Sequence, residues 1–492
     1  MRGALLVAGT TSDAGKSALT TGICRWLHRQ GVRVAPFKAQ NMSNNSMVTA
    51  EGGEIGRAQW VQAVAAGVEP EVAMNPVLLK PGSDLRSHVV VMGRPAGDLD
   101  ASSFAGARTG LAEAAYAAFD DLASRYDVVV CEGAGSPTEI NLREHDFVNM
   151  GLAHHGRVPT IVVGDIDRGG VFAAMYGTLK LMPPEDQARV HGFVVNKFRG
   201  DRSLLEPGLR MLEDATERPV LGVVPWLPDM LLDSEDTITR APGGGSPSSG
   251  VRPLQVAVVR FPRISNFTDV DALAVEPGVE VRYVDSPDAV ADADLVVLPG
   301  TRATLDDLAW LRDRGLVGPL VQRHRGGQPV LGICGGFQML GEHVADPDGV
   351  EAGAPSSALG LGLLPARTRF GAEKVLDRPR GTELGQPVEG YRIHHGAVEV
   401  RGGTPFLDGC REGATWGTLW HGALESDGFR RAFLARVAEQ AHREDWVAGE
   451  AAEFAAARER QIDALADAVE EHLDTEALRA IISRSGAQPS WT

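Results

Sequence analysis

The chain has 492 residues, which is long for one domain and suggests two or three domains of about 100–200 residues each. Its formal charge of −17 argues against nucleic acid as a main partner. The four cysteines form no CxxC pair, which is typical of a reducing cytoplasm, and no apolar run reaches the roughly 18 residues of a membrane span. We therefore expect a cytoplasmic protein that contacts neither nucleic acid nor membrane, and the oligomeric state stays open.

The first twenty residues join an apolar strand to a phosphate-binding loop. The apolar run 4–8 is followed by the sequence GTTSDAGKS at residues 9–17. Such a loop brings backbone amides close to phosphate oxygens, while its lysine and serine meet the outer phosphates and a magnesium ion. Five residues separate Gly9 from Gly15 where the common pattern has four, which indicates a variant loop. The residues of this loop that we expect to bind a nucleotide are Gly9, Thr10, Asp13, Gly15, Lys16 and Ser17.

Several later strand-like runs also end in polar residues, at the edge where open parallel sheets bind ligands. One run ends in Glu132, which we expect to hold magnesium together with Ser17. Another run ends in Asn196 and Lys197, which could serve the purine base. The stretch 38–45 and the turn after residue 79 offer donors for carboxylates or phosphates. The expected substrate-binding residues in these two segments are Lys38, Gln40, Asn41, Asn44, Lys80 and Asp84.

A break in composition divides the chain. Residues 241–252 are rich in glycine, proline and serine, and they predict a flexible linker. Strand-like and helix-like segments alternate on both sides of it. We therefore predict an α/β fold with two doubly wound, mostly parallel-sheet domains, 1–240 and 253–440, and a helical C-terminal extension, 441–492. One apolar helix face in this extension is expected to dock against the second domain; its residues are Ile462, Leu465, Val469 and Leu473.

A cysteine in the second half lies at a predicted strand-to-helix turn. Cys334 follows the apolar run 329–333 and precedes Gly335 and Gly336. This pattern is typical of a nucleophile elbow, in which the helix N-terminus favours the thiolate and the glycines allow a sharp turn. The base should follow later in the chain, and His421 at the end of a predicted strand is our choice. His394 and His395 are competitors for this role, and one of them could line the substrate pocket.

Cys334 and His421 in this setting resemble a class I glutamine amidotransferase domain. The resemblance implies that the cysteine attacks the side-chain amide of glutamine and that the histidine relays the proton. It also implies backbone oxyanion donors at Gly300 or Thr301 and at Gly335, with Gln338 in the glutamine site. Many relatives carry a glutamate two residues after the histidine, where this chain has Ala423. Either Glu425 substitutes for it, or the site is a Cys–His dyad, which we favour.

The first half resembles the dethiobiotin-synthetase-like amide-forming ligases. The motifs PFKAQNMSNN, MNPVLLKP, EGAGSP, GDIDRGGVF and NKFRGD resemble the cobyric acid synthase family in particular. This resemblance implies an ATP-dependent synthetase domain followed by a glutamine amidotransferase domain. The implied reaction is amidation of the b, d, e and g carboxylates of adenosylcobyrinic acid a,c-diamide, a corrinoid. ATP, Mg²⁺ and glutamine as the nitrogen donor would take part.

Two alternatives stay open at this point. The cobyrinic acid a,c-diamide synthases, which act earlier on the same corrinoid, would share both folds and all catalytic roles. A nucleotide-binding regulator with a vestigial amidotransferase site is a different class of protein. The presence of Lys16, Ser17, Glu132, Cys334 and His421 together argues against this second alternative.

Overall fold

The computed structural model describes residues 1–82, 86–100, 104–228, 252–447 and 452–485. The predicted linker lies, except for its last residue, outside the described residues, and so does Asp84. The elements of the first half are β1 (Gly3–Gly9), α1 (Lys16–Arg29), β2 (Val34–Phe37), β3 (Gln40–Met42), β4 (Ser46–Val48), β5 (Glu54–Gly56), α2 (Arg57–Ala65), β6 (Val77–Pro81), β7 (Arg86–Val91), β8 (Arg94–Asp100), α3 (Phe104–Arg125), β9 (Val128–Glu132), α4 (Met150–His155), β10 (Thr160–Asp165), α5 (Val171–Leu181), α6 (Pro184–Gln187), β11 (Val190–Phe198), α7 (Glu206–Thr216) and β12 (Val220–Pro225).

The elements of the second half follow from residue 254. They are β13 (Leu254–Val259), α8 (Asp271–Ala274), β14 (Val279–Val284), α9 (Pro287–Ala291), β15 (Leu295–Leu298), α10 (Thr304–Asp313), α11 (Val317–Arg325), β16 (Val330–Ile333), α12 (Gly335–Leu340), β17 (His343–Asp346), β18 (Ser356–Leu359), β19 (Ala366–Asp377), β20 (Arg380–Glu383), β21 (Gln386–Glu389), β22 (Arg392–Val400), β23 (Thr404–Phe406), β24 (Gly409–Glu412), β25 (Thr415–Thr418), α13 (Asp427–Gln440), α14 (Phe454–His472) and α15 (Thr475–Ser483).

The first sheet has six parallel strands in the order β12-β11-β10-β1-β9-β2. Its central strand β1 is almost wholly buried, as expected for an apolar run that is covered on both faces. The chain winds outward from β1 in both directions, with β9 and β2 on one side and β10, β11 and β12 on the other. Such a reversal of strand order opens a crevice at the carboxyl ends of the strands. The phosphate loop leaves β1 at this point.

The second sheet has seven strands in the order β14-β13-β15-β16-β25-β24-β23. The strands from β14 to β25 are parallel, and β24 and β23 complete the sheet in antiparallel pairing. β16 lies between β15 and β25, so the segments that follow these three strands meet at one edge. Those segments carry Gly300, Cys334 and His421. The predicted α/β class with two mostly parallel sheets is confirmed, whereas the domain boundaries stay predictions.

The two halves of the chain meet through small polar elements. Two of these contacts are ion pairs, Arg57 with Glu425 at 2.7 Å and Glu54 with Lys374. Asn266 Oδ1 accepts a hydrogen bond from Ser46 N at 2.9 Å. The polar stretch that follows β2 therefore lies against the second half.

The C-terminal extension is helical, but its expected docking site was wrong. Ile462 and Val469 of α14 are buried in a cluster with residues of α1 and of the first sheet. A Cβ on Gly22 of α1 would lie 2.6 Å from Leu465 O, so the glycine permits this close approach of the two helices. Arg29 of α1 also pairs with acidic residues of α14. Because this cationic partner of α14 lies on α1, α14 packs on the first half of the chain.

The extension ends in a second helix, as its sequence indicates. The Asp474 side chain accepts a hydrogen bond from Ala477 N at 2.9 Å and so caps α15. Ile481 and Ile482 of α15 are buried against the first half. None of the helices in the described part of the chain is both long and apolar enough to cross a bilayer.

Candidate active sites

The phosphate loop lies between the carboxyl ends of β1 and β10. Thr10 N donates to Val163 O at 2.9 Å, which continues the pairing of the two strands into the loop. α1 then begins at Lys16, with Gly15 as its N-cap. Lys16 Nζ donates to Thr11 O at 2.9 Å and to Gly135 O at 3.2 Å, so the lysine is folded back over the loop. A phosphate placed on the loop would meet this ammonium group and the N-terminus of α1 together.

Glu132, at the end of β9, forms a buried cluster of hydrogen bonds beside the loop. Its Oε1 accepts from Ser17 Oγ at 2.8 Å and from Lys38 Nζ at 2.9 Å, and its Oε2 accepts from Gln62 Nε2 at 2.5 Å. Burial alone would raise the pKa of Glu132, but Lys38 and the other two donors hold it below its ordinary value. The carboxylate is therefore ionised at neutral pH. The sequence did not single out Gln62, because it lies inside α2.

A hydroxyl and an ionised carboxylate next to each other suit a hard cation. Mg²⁺ binds oxygen ligands and commonly takes only one or two carboxylates, with phosphate oxygens and water filling its other positions. Ser17 and Glu132 supply such a pair. The described residues hold no group of three or more His, Cys, Asp or Glu side chains that could bind a metal. The donor set thus fits Mg²⁺ delivered with a nucleotide.

Asn196 and Lys197 lie on the other side of the phosphate loop, on β11. Asn196 Nδ2 donates to Ala14 O at 2.9 Å. Lys197 Nζ donates to Asp13 O at 2.6 Å and to Asp165 Oδ2 at 2.8 Å. The loop is thus held from β11 as well as from β10. The structure places all the predicted nucleotide residues, from Gly9 to Lys197, around one crevice.

The predicted substrate-binding residues occupy different surroundings. Lys38 pairs with Glu132, and Lys80 pairs with buried Glu54 at 2.6 Å. Asn41 Nδ2 donates to Gln59 Oε1 at 3.0 Å, and Asn44 Nδ2 donates to Pro81 O at 3.3 Å. Gln40 Oε1 is buried with no hydrogen-bond partner within the described ranges.

Gln40 faces a cavity of about 130 Å³ next to the segment that follows Glu132. Ser136, Arg143 and His145 line the same cavity. These groups were not identified from the sequence, because 136–145 reads as an ordinary polar loop. Ser136 and His145 bring hydrogen-bonding groups to this cavity, whereas Arg143 is paired with buried Asp186 and the acidic Glu139 and Asp146 also line it.

The nucleophile elbow is present at Cys334. This residue has φ 51° and ψ −111°, and it connects β16 to α12. A Cβ on Gly336 would lie 1.9 Å from Leu298 O, so only glycine allows α12 to pack this closely on β15. Backbone strain at a functional residue is common where surrounding packing enforces it. The Cys334 thiol lies within hydrogen-bonding reach of His421.

His421 is held by a carboxylate that the sequence did not identify. His421 Nδ1 lies 2.7 Å from Asp269 Oδ2, and Gly422 N donates to Asp269 Oδ1 at 2.8 Å. The side chains of Asp269 and His421 are 2% and 1% exposed, so little water competes with this contact. Burial alone would lower the pKa of His421, but Asp269 and Cys334 raise it to about 10. A protonated imidazole next to the Cys334 sulfur can pass its proton to a group that departs there.

Neither of the two alternatives for this site, Glu425 or a dyad, matches the geometry. Glu425 lies 2.7 Å from Arg57 and 3.0 Å from Arg458, and it is thus engaged in contacts with the first half and the extension. Asp269 completes the group instead. It lies in a 3₁₀ turn, Phe267–Val270, before the sheet strands that carry Cys334 and His421. No sequence motif with a fixed spacing links Asp269 to Cys334 or to His421.

The predicted oxyanion residues surround Cys334. A Cβ on Gly335 would lie 3.1 Å from Thr301 N, so these two backbones approach each other next to the sulfur. Gly300 O accepts from Ser265 N at 2.8 Å, which fixes the segment after β15. Gln338 Oε1 accepts from Thr304 Oγ1 at 3.3 Å.

His394 and His395 lie on the opposite wall of the glutamine site, on β22. Burial lowers the pKa of both side chains, that of His395 to about 4, so both rings are neutral at pH 7. Both line the same small cavity as Cys334. Asp269 contacts His421 and not these two residues, which favours His421 as the base.

This small cavity also reaches the first half of the chain. Lys80 and Lys374 line it together with Cys334. Glu54, which pairs with both lysines, lies in β5, and β5 leads directly into α2, which carries Gln62. The consecutive elements β5 and α2 therefore connect the cavity at Cys334 to the Glu132 cluster.

Comparisons with known proteins cover the whole chain. Residues 5–237 match the model of the CobQ/CobB/MinD/ParA nucleotide binding domain, and residues 255–429 match that of the CobB/CobQ-like glutamine amidotransferase domain. The cobyric acid synthase of Streptomyces avermitilis is 59% identical over 99% of this chain and 97% of its own length. That of Mycobacterium marinum is 60% identical over 99% of this chain and 98% of its own length. This chain belongs to the cobyric acid synthase family.

Membership of the cobyric acid synthase family establishes the class of reaction. The chain is an ATP-dependent ligase that hydrolyses glutamine and forms amides. A solved glutamine amidotransferase structure, 19% identical over 38% of this chain, gives a TM-score of 0.29, which is too low to bear on the fold.

Proposed function

We propose that this chain amidates the b, d, e and g carboxylates of adenosylcobyrinic acid a,c-diamide, with ATP as activator and glutamine as nitrogen donor. One observation carries the proposal. The chain holds a phosphate-loop site and a Cys334–His421–Asp269 site, and the cavity at Cys334 is lined by residues of both halves. Relatives that share the full length are cobyric acid synthases. Residues 1–240 would form the synthetase domain and 253–440 the glutaminase domain.

The synthetase half would activate a carboxylate. A substrate carboxylate oxygen attacks the γ-phosphorus of ATP, the bond to the leaving ADP oxygen breaks, and an acyl phosphate forms. Lys16 and the N-terminus of α1 stabilise the charge on the transferred group. Mg²⁺ held by Ser17 and Glu132 would neutralise further phosphate charge. Ammonia then adds to the acyl carbon and phosphate leaves, which gives the amide.

The glutaminase half would supply the ammonia. The Cys334 thiolate attacks the side-chain carbonyl of glutamine, and the oxyanion is met by backbone amides at Thr301 and Gly335. Protonated His421 gives its proton to the leaving nitrogen, so ammonia departs and a thioester remains. His421, now neutral, activates water for hydrolysis of the thioester to glutamate. Asp269 keeps the imidazole oriented throughout.

Ammonia must reach the acyl phosphate without becoming ammonium, because the protonated form is not a nucleophile. The cavity that Cys334 shares with Lys80 supports direct transfer between the halves. The corrinoid itself would bind outside this junction. The cavity lined by Gln40, Ser136 and His145 offers hydrogen-bonding groups for its periphery. We propose that this occurs in the cytoplasm, with no membrane or nucleic acid partner.

Counting the mass change tests the substrate. The purified chain is incubated with adenosylcobyrinic acid a,c-diamide, ATP, magnesium and glutamine. The mass of the corrinoid is then measured by mass spectrometry. Each amidation replaces OH by NH₂, so four amidations lower the mass by about four units. Conversion of cobyrinic acid with no conversion of its a,c-diamide would contradict the proposal and identify the earlier synthase activity.

A further inference from the structure

A cavity of about 210 Å³ lies beside the phosphate loop, on the side away from Glu132. One end is formed by Gly15 of the loop and by Asn196 and Lys197 of β11. The space that one buried water needs is only about 10–15 Å³, so this cavity is large enough for an organic group. Its position next to the loop suits the part of a nucleotide that follows the phosphates.

The cavity has one aromatic wall, Trp226, in the segment after β12. The indole is 39% exposed, which is high for a tryptophan in a folded chain. The Arg199 guanidinium lies over its ring, 4.0 Å from the centroid. A flat, partly exposed indole beside a phosphate loop is suited to stacking on a nucleobase.

A further part of the cavity lining comes from the C-terminal extension. Leu465, Ala468 and Val469 of α14 line the cavity. α14 lies beyond residue 429, where the match to the amidotransferase model ends, and outside the nucleotide-binding model. Neither domain model therefore assigns this helix a part in either site.

α14 is held firmly in this position. Arg25 of α1 pairs with Glu459, and Arg29 pairs with Asp467 at 2.6 Å. After α14 the chain pairs with the edge of the first sheet, where Asp474 N donates to Leu221 O at 2.7 Å. Because α1 begins at the phosphate loop, α14 and the loop are parts of one packed unit.

We propose that α14 and Trp226 form the binding site for the nucleotide base, so that the C-terminal extension of this chain takes part in binding ATP. The base lies between the indole and the apolar face around Ala468, and the Asn196 amide faces its polar edge. This inference rests on the proposed binding of ATP at the phosphate loop. It assigns to the extension a role that its family models do not cover.

Filling the cavity tests the inference. Ala468→Trp places a large side chain in it, and Ala464→Trp makes the same change on the exposed face of the same helix as a matched control. Binding of Mg-ATP and of inorganic tripolyphosphate is measured by calorimetry for each protein. Ala468→Trp should weaken ATP binding by at least about tenfold, since it removes the base contacts. Tripolyphosphate, which has no base, should bind both variants like the unaltered chain.

A second variant covers the case in which Ala468→Trp does not fold. Trp226→Ala changes a partly exposed side chain, and loss of stacking should weaken ATP binding by about tenfold with tripolyphosphate binding unchanged. Unchanged ATP binding in Trp226→Ala and in a folded Ala468→Trp would overturn the inference. An equal loss of ATP and tripolyphosphate binding would also overturn it, since the loop itself would then be disturbed. If the unaltered chain bound neither ligand, the proposed nucleotide site would fail instead.

Discussion

The two active sites of this chain are assembled from different kinds of segments. The phosphate site takes Lys16, Glu132 and Asn196 from strand ends or the loop after a strand, all in one parallel sheet. The glutamine site takes Cys334 and His421 from strand ends, but its carboxylate comes from a 3₁₀ turn before them. Strand ends of one parallel sheet must meet at the same edge, whereas a turn reaches a site only through packing. The comparison explains why Asp269 escaped sequence reasoning.

The sites also differ in the cation that accompanies the buried carboxylate. Glu132 is paired with Lys38, and Asp269 is paired with His421. A lysine side chain keeps its charge at neutral pH, so Glu132 stays ionised. A histidine can release its proton, so Asp269 stabilises a group that alternates between two protonation states. We therefore expect the first pair to hold a fixed charge and the second pair to take part in proton transfer.

The largest expected effect separates the two sites completely. Cys334→Ala removes the sulfur that forms the thioester, so glutamine-dependent amidation should be abolished. At high ammonium concentration and raised pH, neutral ammonia should still reach the acyl phosphate, and amidation should continue. Corrinoid mass spectrometry with each nitrogen source measures both. Cys410→Ala, a second buried cysteine in the same half, is the matched control and should keep both activities.

His421→Ala should behave like Cys334→Ala, because both groups act before nitrogen is released. Continued use of glutamine by Cys334→Ala would mean that another group is the nucleophile. If the folded Cys334→Ala protein also failed to amidate with ammonia, the two sites would not be independent, since the synthetase site would then depend on an intact glutamine site.

Lys16→Ala tests the phosphate site alone. Loss of a preorganised charge at the transferred phosphate should lower ATP-dependent amidation by about 10³-fold, with either nitrogen source. Hydrolysis of glutamine in the absence of ATP should persist at its basal rate. Lys180→Ala, at an exposed position of α5, is the matched control. Near-normal amidation by Lys16→Ala would remove the loop from the mechanism.

Asp269→Asn tests the carboxylate that the fold supplies. The amide cannot hold the protonated imidazole, so glutamine hydrolysis should fall by about 10²-fold or more, within the range for misplaced general bases. Glu425→Gln is the control, because Glu425 contacts Arg57 and Arg458 rather than His421. Its basal glutaminase rate should stay close to that of the unaltered chain. A larger loss in Glu425→Gln than in Asp269→Asn would reverse our assignment.

The pH dependence sharpens this test. Asp269 and Cys334 raise the pKa of His421 to about 10, so the protonated imidazole persists across neutral pH and is lost as the pH rises through about 10. Its contribution to stability is accordingly full below the ordinary histidine pKa of about 6.5 and disappears as the pH passes about 10. In Asp269→Asn the alkaline fall in glutaminase rate should move to lower pH. An unmoved profile would contradict the role of Asp269.

Gln62→Met should have the smallest effect. It removes one hydrogen bond to Glu132 but keeps the side-chain length. A hydrogen bond to a charged group contributes about 1.5–3 kcal/mol, so the apparent affinity for Mg-ATP should fall by about tenfold to a hundredfold. Basal glutamine hydrolysis should not change. Equal losses at both sites would mean that α2 supports the whole junction rather than the magnesium carboxylate.

The sequence alone was sufficient for features that depend on local geometry. The glycines and lysine of residues 9–17 specify a strand, a phosphate loop and a helix in consecutive order. The apolar run and glycines around Cys334 likewise specify a sharp strand-to-helix turn. Alternation of apolar strands and helices was enough for the two parallel sheets, because this pattern has few other ways to bury its apolar faces.

Only the tertiary structure decided which distant segments meet. The spacing of apolar residues in α14 predicted that one face of the helix is buried, but it did not indicate against which domain. In the structure α14 packs against Gly22 and pairs with Arg29, so it lies on the first half. The same holds for Asp269, which lies far from His421 in the chain and within 2.7 Å of it in the fold. Hydrophobic burial is non-directional, so a sequence pattern tells which face is buried and leaves the choice of neighbour to shape and charge complementarity.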